Sequence, residues 1–497
     1  MLDLHWHNYK YYPYEHELAL REVEQLLQPN SVERTKTGLL VANQQSDRQA
    51  GRLVYFSSIV PKTADFPMAT QQALLERVNG NGTRRQSTRY SAHGLHEYKG
   101  KFNPQIAKAL LNIFGVQNDA RVFDPFCGSG TSLVEAAHSG VRAVGIDINP
   151  LATFVANAKI ASLGIDAYAL EKAATDLLRR VKRSRRKALG SGARIDYLKQ
   201  WFQENVLLDI ERLRSYALSS ESGTANILLT IASNLLREYS LQDPGDLRIR
   251  RRKDPLPKVP FLDAFESSVG EFVSKLSASQ SVLGLLDPRC EALKMDGRYS
   301  NHHLTRIAEN GFDFALTSPP YATALPYIDT QRLSLVWLDL LTPQDVHRVG
   351  AELIGSREIR GVSKADLLDK LKRNDANLPT AQSRFCMRLQ NAIGEKDGFR
   401  RKAVPILLYR YFEDMARSFS QTHRLMKPGA KFALIVGTNH TTLGGERFDI
   451  DTPSHLINIA TSLGWRHFET VGLQTYKRYG LHAKNASMNE ALIVFSA

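Results

Sequence analysis

Cysteine is scarce in this chain of 497 residues. The three that occur, Cys127, Cys290 and Cys386, lie far apart, which excludes a disulfide framework and a four-cysteine zinc site and suits a reducing cytoplasm. No apolar run approaches the roughly 18–20 residues that span a bilayer. The opening MLDLHWHNYKYYPYEHELAL also lacks the apolar stretch of a secretory signal. The expectation is therefore a cytoplasmic protein without a membrane partner. Acid is short relative to base: 51 Asp and Glu stand against 65 Lys and Arg, a net charge of +14. An excess of this size favours a polyanion, of which nucleic acid is the commonest.

What is present is ordinary for a globular protein, with 43% hydrophobic and 23% charged residues. The length calls for two or three structural units. Residues 1–85 read as a small N-terminal unit, with a helix in EHELALREVEQLL, a strand in GRLVYFSSIV and a turn-rich linker, VNGNGTRRQS, at 78–87. A helix with Pro104 in its first turn follows in the segment 93–115. ARVFDPF, TSLVEAAHSG and VRAVGIDI then read as strand, helix and strand, a βαβ unit that predicts a parallel sheet. From 161 to 290 the rhythm becomes helical and basic. Residues 160–260 hold 19 Lys and Arg against 12 Asp and Glu, much of it in RRVKRSRRK (179–187) and RIRRRK (248–253). The sheet resumes at GFDFALTSPPY. A helix and a polar insertion (342–400) come next, then a helix, a Pro-Gly turn and a strong strand, and finally a last helix and two more strands.

DPFCGSGT (124–131) is a strand-to-helix loop in which Gly128 and Gly130 allow a tight turn and close approach of a ligand. The helix N-terminus beyond it offers free N–H groups to a carboxylate or phosphate. Asp147, 17 residues past Gly130, ends the next strand, where an acid can bind both hydroxyls of a ribose. Together they point to a nucleoside ligand. The spacing is neither the dinucleotide fingerprint nor a Walker loop: no third Gly stands at the expected offset and no Lys-Ser or Lys-Thr follows. In DFALTSPPY the two prolines end the strand, and on these residues alone Tyr321 could be a surface cap.

DPFCGSGT, GIDINP and TSPPY, in that order, resemble the S-adenosylmethionine-dependent amino-group DNA methyltransferases, in the form with Ser-Pro-Pro-Tyr. The likeness covers roughly 93–160 and 290–497. It implies a class I, Rossmann-like mixed sheet of seven strands with an antiparallel hairpin at one edge. It further implies that S-adenosylmethionine is the cofactor, its methionine end held by Asp124, Pro125, Phe126, Gly128, Ser129, Gly130 and Thr131. Lys101 and Phe102 belong to a segment that closes over that end. Asp147, with Ile148 and Asn149, would hold the ribose, and Asp296 in ALKMDGR would lie near the adenine. Ser318, Pro319, Pro320 and Tyr321 would be catalytic.

The chemistry suits these residues. An exocyclic amine conjugated with a base ring is a poor nucleophile, and acceptors beside its hydrogens favour the rehybridised form that attacks a methyl group. The Ser318 hydroxyl and Pro319 carbonyl can serve, and Tyr321 can stack on a base flipped from the helix. Transfer is then direct. Cytosine-C5 methylation needs a cysteine in a Pro-Cys context, and no Pro immediately precedes any of the three cysteines. Within the family Ser at the first motif position is typical of cytosine N4, with adenine N6 the alternative.

Arg179, Arg180, Lys182, Arg183, Arg185, Arg186, Arg250, Arg251 and Arg252 are the expected phosphate contacts in double-stranded DNA. The basic insert 161–290 is the candidate target reader, with 342–400 a second. His93, His96, His302 and His303 have no Cys or acid at ligand spacing and read as solvated or capping residues, so no metal is expected. Trp201, Trp337 and Trp465 read as core. No nuclease constellation is visible, so a restriction endonuclease would be a separate chain. An RNA base methyltransferase is one rival reading. A non-catalytic nucleic-acid-binding protein on the same fold is another.

Overall fold

The computed structural model describes residues 1–42, 47–61, 66–77, 86–98, 100–117, 119–185, 188–246, 249–322, 327–474 and 489–497. Most of the expected linker at 78–87 lies outside these residues, as does Arg186.

Five short antiparallel strands open the chain: β1 (Leu2–Trp6), β2 (Ser31–Arg34), β3 (Gly38–Ala42), β4 (Phe56–Pro61) and β5 (Met68–Ala69), in the order β2-β3-β1-β4-β5. The helix Pro13–Leu27 buries Leu18, Val23, Leu26 and Leu27 against this sheet and against the helix Pro104–Ile113. One apolar cluster runs from these residues through Leu110 into Val122, Phe314 and Ile435 of the larger sheet. Polar ties cross the same junction: Arg21 donates to both carboxylate oxygens of Glu469 at 2.6 and 3.1 Å, and Asn112 donates to buried Glu22 at 2.8 Å. The strand expected from residue 51 begins only at Phe56. Before it, the Val54 N–H donates to the Glu22 carboxylate rather than to a ladder, so Leu53, Val54 and Tyr55 are buried outside any strand.

The seven-stranded sheet comprises β6 (Arg121–Asp124), β7 (Arg142–Asp147), β8 (Cys290–Lys294), β9 (Phe312–Thr317) and β10 (Met426–Gly437), followed, after the hairpin β11 (Asn439–Leu443) and β12 (Glu446–Ile450), by β13 (Arg466–Gln474) and β14 (Asn489–Ser496). Its order is β13-β14-β10-β9-β6-β7-β8. β14 runs antiparallel to both β10 and β13, and the remaining pairs are parallel. This is the Rossmann-like seven-stranded arrangement that the resemblance implies, with the antiparallel hairpin at the edge. Strands in its middle are apolar on both faces, as a sheet covered by helices on both sides requires: Phe314, Ala315 and Leu316 of β9 and Phe432 to Val436 of β10 are all buried.

The β11–β12 hairpin was not expected, although Gly444-Gly445, both at positive φ, is a turn signal between alternating residues. The polar stretch 342–400 is folded, with helices Asp345–Glu352, Lys364–Arg373 and Thr380–Asn391 burying Val346, Leu367, Leu371 and Leu389. In the basic region, the first helix spans Ala167–Lys182. It closes where Arg179, Arg180 and Lys182 complement the carbonyl end of the helix dipole. It packs with Glu204–Ala217, Ser222–Leu235 and Phe261–Leu283 in a second core that also takes in Leu151 and Val155, and Leu333 and Val336 of the helix Tyr327–Trp337. The insert is therefore welded to helices that follow both sheet loops.

At the sheet centre Gly145 makes room for Cys127: a Cβ there would lie 2.5 Å from the cysteine Cβ. Gly145→Val should cost about 1–3 kcal/mol through overpacking, read as a lower Tm, whereas Gly472→Ala, with nothing within 4 Å, should leave Tm unchanged.

Candidate active site

β6 and β9 are neighbours in space, but the chain leaves β6 towards β7 and β8 and returns on the other side through β9 and β10. The sheet thus changes direction between them, and ligands of open α/β sheets bind outside the carboxyl ends at such a point. The 125–130 and 318–321 loops both start there.

Asp124, the last residue of β6, is almost wholly buried. One carboxylate oxygen accepts from the Phe126 N–H at 3.0 Å and from the Thr317 hydroxyl, at the end of β9, at 2.6 Å. The other accepts from the Ser132 hydroxyl in the helix Thr131–His138. A single carboxylate therefore joins the strand, its loop, the following helix and the start of the Ser-Pro-Pro-Tyr segment. Burial pushes it up to about 6, against the pull of these hydrogen bonds. Its acceptors face inwards, so within the loop Asp124 braces the backbone.

Asp147 ends β7. Its oxygens accept from the Gly128 N–H at 3.0 Å and the Asn149 N–H at 2.8 Å, and burial raises it to about 6. Asn149 caps the helix Pro150–Leu163 through Leu151 N–H and donates to Gln331 at 2.6 Å. Gly128 and Gly130 have φ of 49° and 79°. A Cβ on Gly130 would lie 2.9 Å from that of Ala156, and one on Gly128 would lie 3.6 Å from the Tyr98 ring. Only glycine keeps this loop flat against the next helix. Lys159, wholly buried, donates to the carbonyl and hydroxyl oxygens of Ser129, each at 3.0 Å. The Lys101 ammonium donates to the Thr88 carbonyl at 2.8 Å, and Phe102 packs on the first apolar core.

Ser318 and Pro320 are half-buried and Pro319 is buried. The Tyr321 hydroxyl donates to the Glu490 carboxylate at 2.5 Å. The Ala322 carbonyl accepts from Asn439 at 2.9 Å, so the segment is held from two strands. Asp296 is drawn to Arg298, which donates to both its oxygens and, at 3.1 Å, to Asp414. Burial works against the Arg298 charge, but these acids more than offset it and raise its pKa.

The histidine expectation fails for His96, whose ring nitrogens are both buried, and for His93. His93 is buried, and its Nε2 lies 2.6 Å from Glu135, whose other oxygen is 3.3 Å from His138 Nδ1. Tyr90 donates to the same carboxylate at 2.8 Å. Burial opposes the Glu135 charge, but its imidazole partners more than offset it and hold the carboxyl below the usual range. The acid is 42 residues away in the chain, invisible to ligand spacing. The spacings are those of hydrogen bonds within one network that clamps Tyr90–His93 to the helix behind the loop. His302 and His303 are exposed.

The basic runs are more occupied than their charge suggests. Arg179 pairs with Asp176, Lys182 with Glu266 and Arg250 with Asp246; Arg180 lies over Tyr216; and Arg252 donates to the Glu238 and Ser240 carbonyls. Arg183 and Arg185 are exposed. Trp337 and Trp465 are core; Trp201 packs against the second core but is only half-buried, and its ring carries Arg251 at 4.5 Å and Arg332 at 4.0 Å. Tyr98, Lys159, Thr317, Gln331 and Arg332 are the site-adjacent residues that sequence reasoning missed.

The RMKL-like methyltransferase domain model of the UPF0020 family matches residues 95–204. The chain is 26% identical over 387 residues to Type II methyltransferase M.MvaI of Kocuria varians, covering 71% of this chain and 79% of that one. It is 20% identical over 425 residues to Type II methyltransferase M.BsoBI of Geobacillus stearothermophilus, covering 78% and 81%. A shorter likeness, 46% over 52 residues, links it to the tRNA (guanine(10)-N2)-dimethyltransferase of Methanothermobacter thermautotrophicus, covering 10% of this chain and 16% of that one.

Thr317→Val removes one donor to Asp124 at nearly constant volume. It should cost about 1–3 kcal/mol of stability, measured by denaturant unfolding, and should lower turnover by loosening the 318–321 segment. Unchanged values of both would show that the two loops are not coupled through this carboxylate.

Proposed function

We propose that the chain is an S-adenosylmethionine-dependent amino-methyltransferase that methylates the exocyclic N4 of cytosine in double-stranded DNA, as the modification enzyme of a restriction–modification pair. The observation that carries this reading is the Asp124 tie, which sets the nucleoside loop beside the Ser-Pro-Pro-Tyr segment at the point where the sheet changes direction. The likeness to two Type II methyltransferases over most of their length favours DNA.

The residues fit the cofactor. Gly128 and Gly130 keep the loop free of side chains, Asp147 presents a carboxylate to a ribose, and the first turn of Thr131–His138 offers N–H groups to a carboxylate. S-adenosylmethionine supplies an electrophilic methyl group when bound. Ser318 Oγ and the Pro319 carbonyl accept from the amine hydrogens and draw its lone pair out of conjugation. The prolines keep that carbonyl out of the ladder. Tyr321, held by Glu490, offers a ring against which an extruded base stacks. No thiolate attack enters: Cys127 and Cys386 are buried, and burial pushes the thiols up, Cys290 to about 12.

Arg251, exposed on the Trp201 ring, is with the exposed Arg183 and Arg185 among the cations of the two runs for which, among the described residues, no acid forms a salt bridge. Arg251→Gln should weaken DNA binding and flatten the log–log salt slope by about 1, whereas Arg179→Gln, already paired with Asp176, should change it less. Equal slopes in wild type and the Arg251 variant would remove Arg251 from the interface.

An RNA base amine is the second reading, favoured by the 52-residue likeness to a tRNA guanine-N2 enzyme. Mass spectrometry of nucleosides from DNA and RNA incubated with enzyme and labelled cofactor separates the two. N4-methylcytosine in DNA is expected. N6-methyladenine would change the base but keep the mechanism; label only in RNA would change the substrate; 5-methylcytosine would overturn the mechanism. Tyr321→Ala should depress turnover far more than Tyr321→Phe, because stacking is worth about 1–3 kcal/mol and the phenylalanine keeps the ring.

A further inference from the structure

Lys159 sits on the helix Pro150–Leu163 with none of its surface exposed. Buried ammonium groups are rare unless an acid pairs with them. Among the described residues, no carboxylate forms a salt bridge with Lys159. Its nearest charged influence is another cation, Lys101, and it in turn acts on His96. Two of its three N–H groups are spent on one residue, Ser129, whose carbonyl and side-chain oxygen both accept at 3.0 Å.

That residue is the middle of the Gly128–Gly130 turn. Fixing the Ser129 carbonyl towards Lys159 settles the orientation of the peptide between Ser129 and Gly130, and the Gly130 N–H is already committed to the Cys127 carbonyl at 2.7 Å. The loop therefore enters the helix Thr131–His138 in one conformation, at an end whose first-turn N–H groups have no partner within the helix. An uncompensated cation directly behind a helix N-terminus makes a site for an anion, since both act in the same direction and low polarity strengthens them. The anion that the proposed chemistry brings to this loop is the carboxylate of the methionine end of the cofactor.

We propose that Lys159 is a positioning residue for the cofactor: through Ser129 it holds the loop in its binding conformation, and it supplies the buried positive charge that the methionine carboxylate balances. This rests on S-adenosylmethionine as the cofactor. Burial, together with the Lys101 charge, lowers the Lys159 pKa well below its ordinary value, and a carboxylate brought alongside favours the charged form again.

Two ligands separate this role from a merely structural one. S-adenosylhomocysteine carries the amino-acid carboxylate, and 5′-methylthioadenosine keeps the nucleoside and thioether but lacks it. In calorimetry on the full chain, Lys159→Met, close in shape, should weaken S-adenosylhomocysteine binding by about tenfold or more, the size of a lost charge-assisted interaction. Binding of 5′-methylthioadenosine should stay within about twofold of wild type on the same grounds. Ser129→Ala keeps Lys159 but removes one of its acceptors. It should show the same selectivity with a smaller loss, which keeps the assignment testable if the methionine variant does not fold. Equal losses for both ligands, or none for S-adenosylhomocysteine, would overturn the Lys159 assignment while leaving the cofactor in place. A wild-type chain that binds neither ligand would overturn the cofactor reading and the assignment together.

Discussion

One buried carboxylate couples the two halves of the site. Asp124 ends β6, and its oxygens are committed to Phe126 in the loop, Ser132 in the following helix and Thr317 at the end of the neighbouring strand. Each bond is individually modest, but an ion this deep is stable only while its donors are present. The carboxylate thus converts proximity of two strand ends into a fixed relation between the loop proposed to take a nucleoside cofactor and the segment proposed to present acceptors to an amine. In-line transfer depends on such a relation, because small misplacements of the reacting atoms carry large rate penalties.

The rest of the chain is arranged around that relation. Gly145 accommodates Cys127 under the loop, Ala156 and Lys159 press on it from the next helix, and Asn149 reaches Gln331 on the helix after the 318–321 segment. That same helix contributes Arg332 to the ring of Trp201 and Leu333 to the core of the basic insert. A structural path therefore runs from the insert, through Tyr327–Trp337, to Asn149 just past the end of β7. The N-terminal unit is joined from the other face by a shared apolar core and by the Arg21–Glu469 pair.

Much of this was legible in the sequence, for a physical reason: the loops that carry the chemistry are contiguous stretches whose residue types are dictated by backbone geometry. Gly128 and Gly130 are needed for positive φ, two prolines stop β9, and an acid ends β7, so each could be read without knowing its neighbours. The seven-stranded order likewise followed from strand and helix lengths once the resemblance supplied its topology. What stayed hidden depends on contacts between distant segments. Thr317 looks like an ordinary strand residue until Asp124, 193 positions earlier, is beside it. Lys159 reads as one polar residue on an apolar helix, and His93 as a solvated histidine, because Ser129 and Glu135 reach them only after folding. Charge misled in the opposite way. The runs 179–187 and 248–253 stand out in the sequence, yet local acids, carbonyls and rings engage much of them, leaving Arg251 distinguished by Trp201.

The most direct test of the central claim is a crystal structure of the protein with sinefungin and a cytosine-containing duplex. The account predicts an extruded cytosine stacked on Tyr321, its exocyclic nitrogen within about 2.6–3.2 Å of both Ser318 Oγ and the Pro319 carbonyl, the range of a hydrogen bond in a productive pose. A base bound with that nitrogen turned away from both acceptors would contradict it.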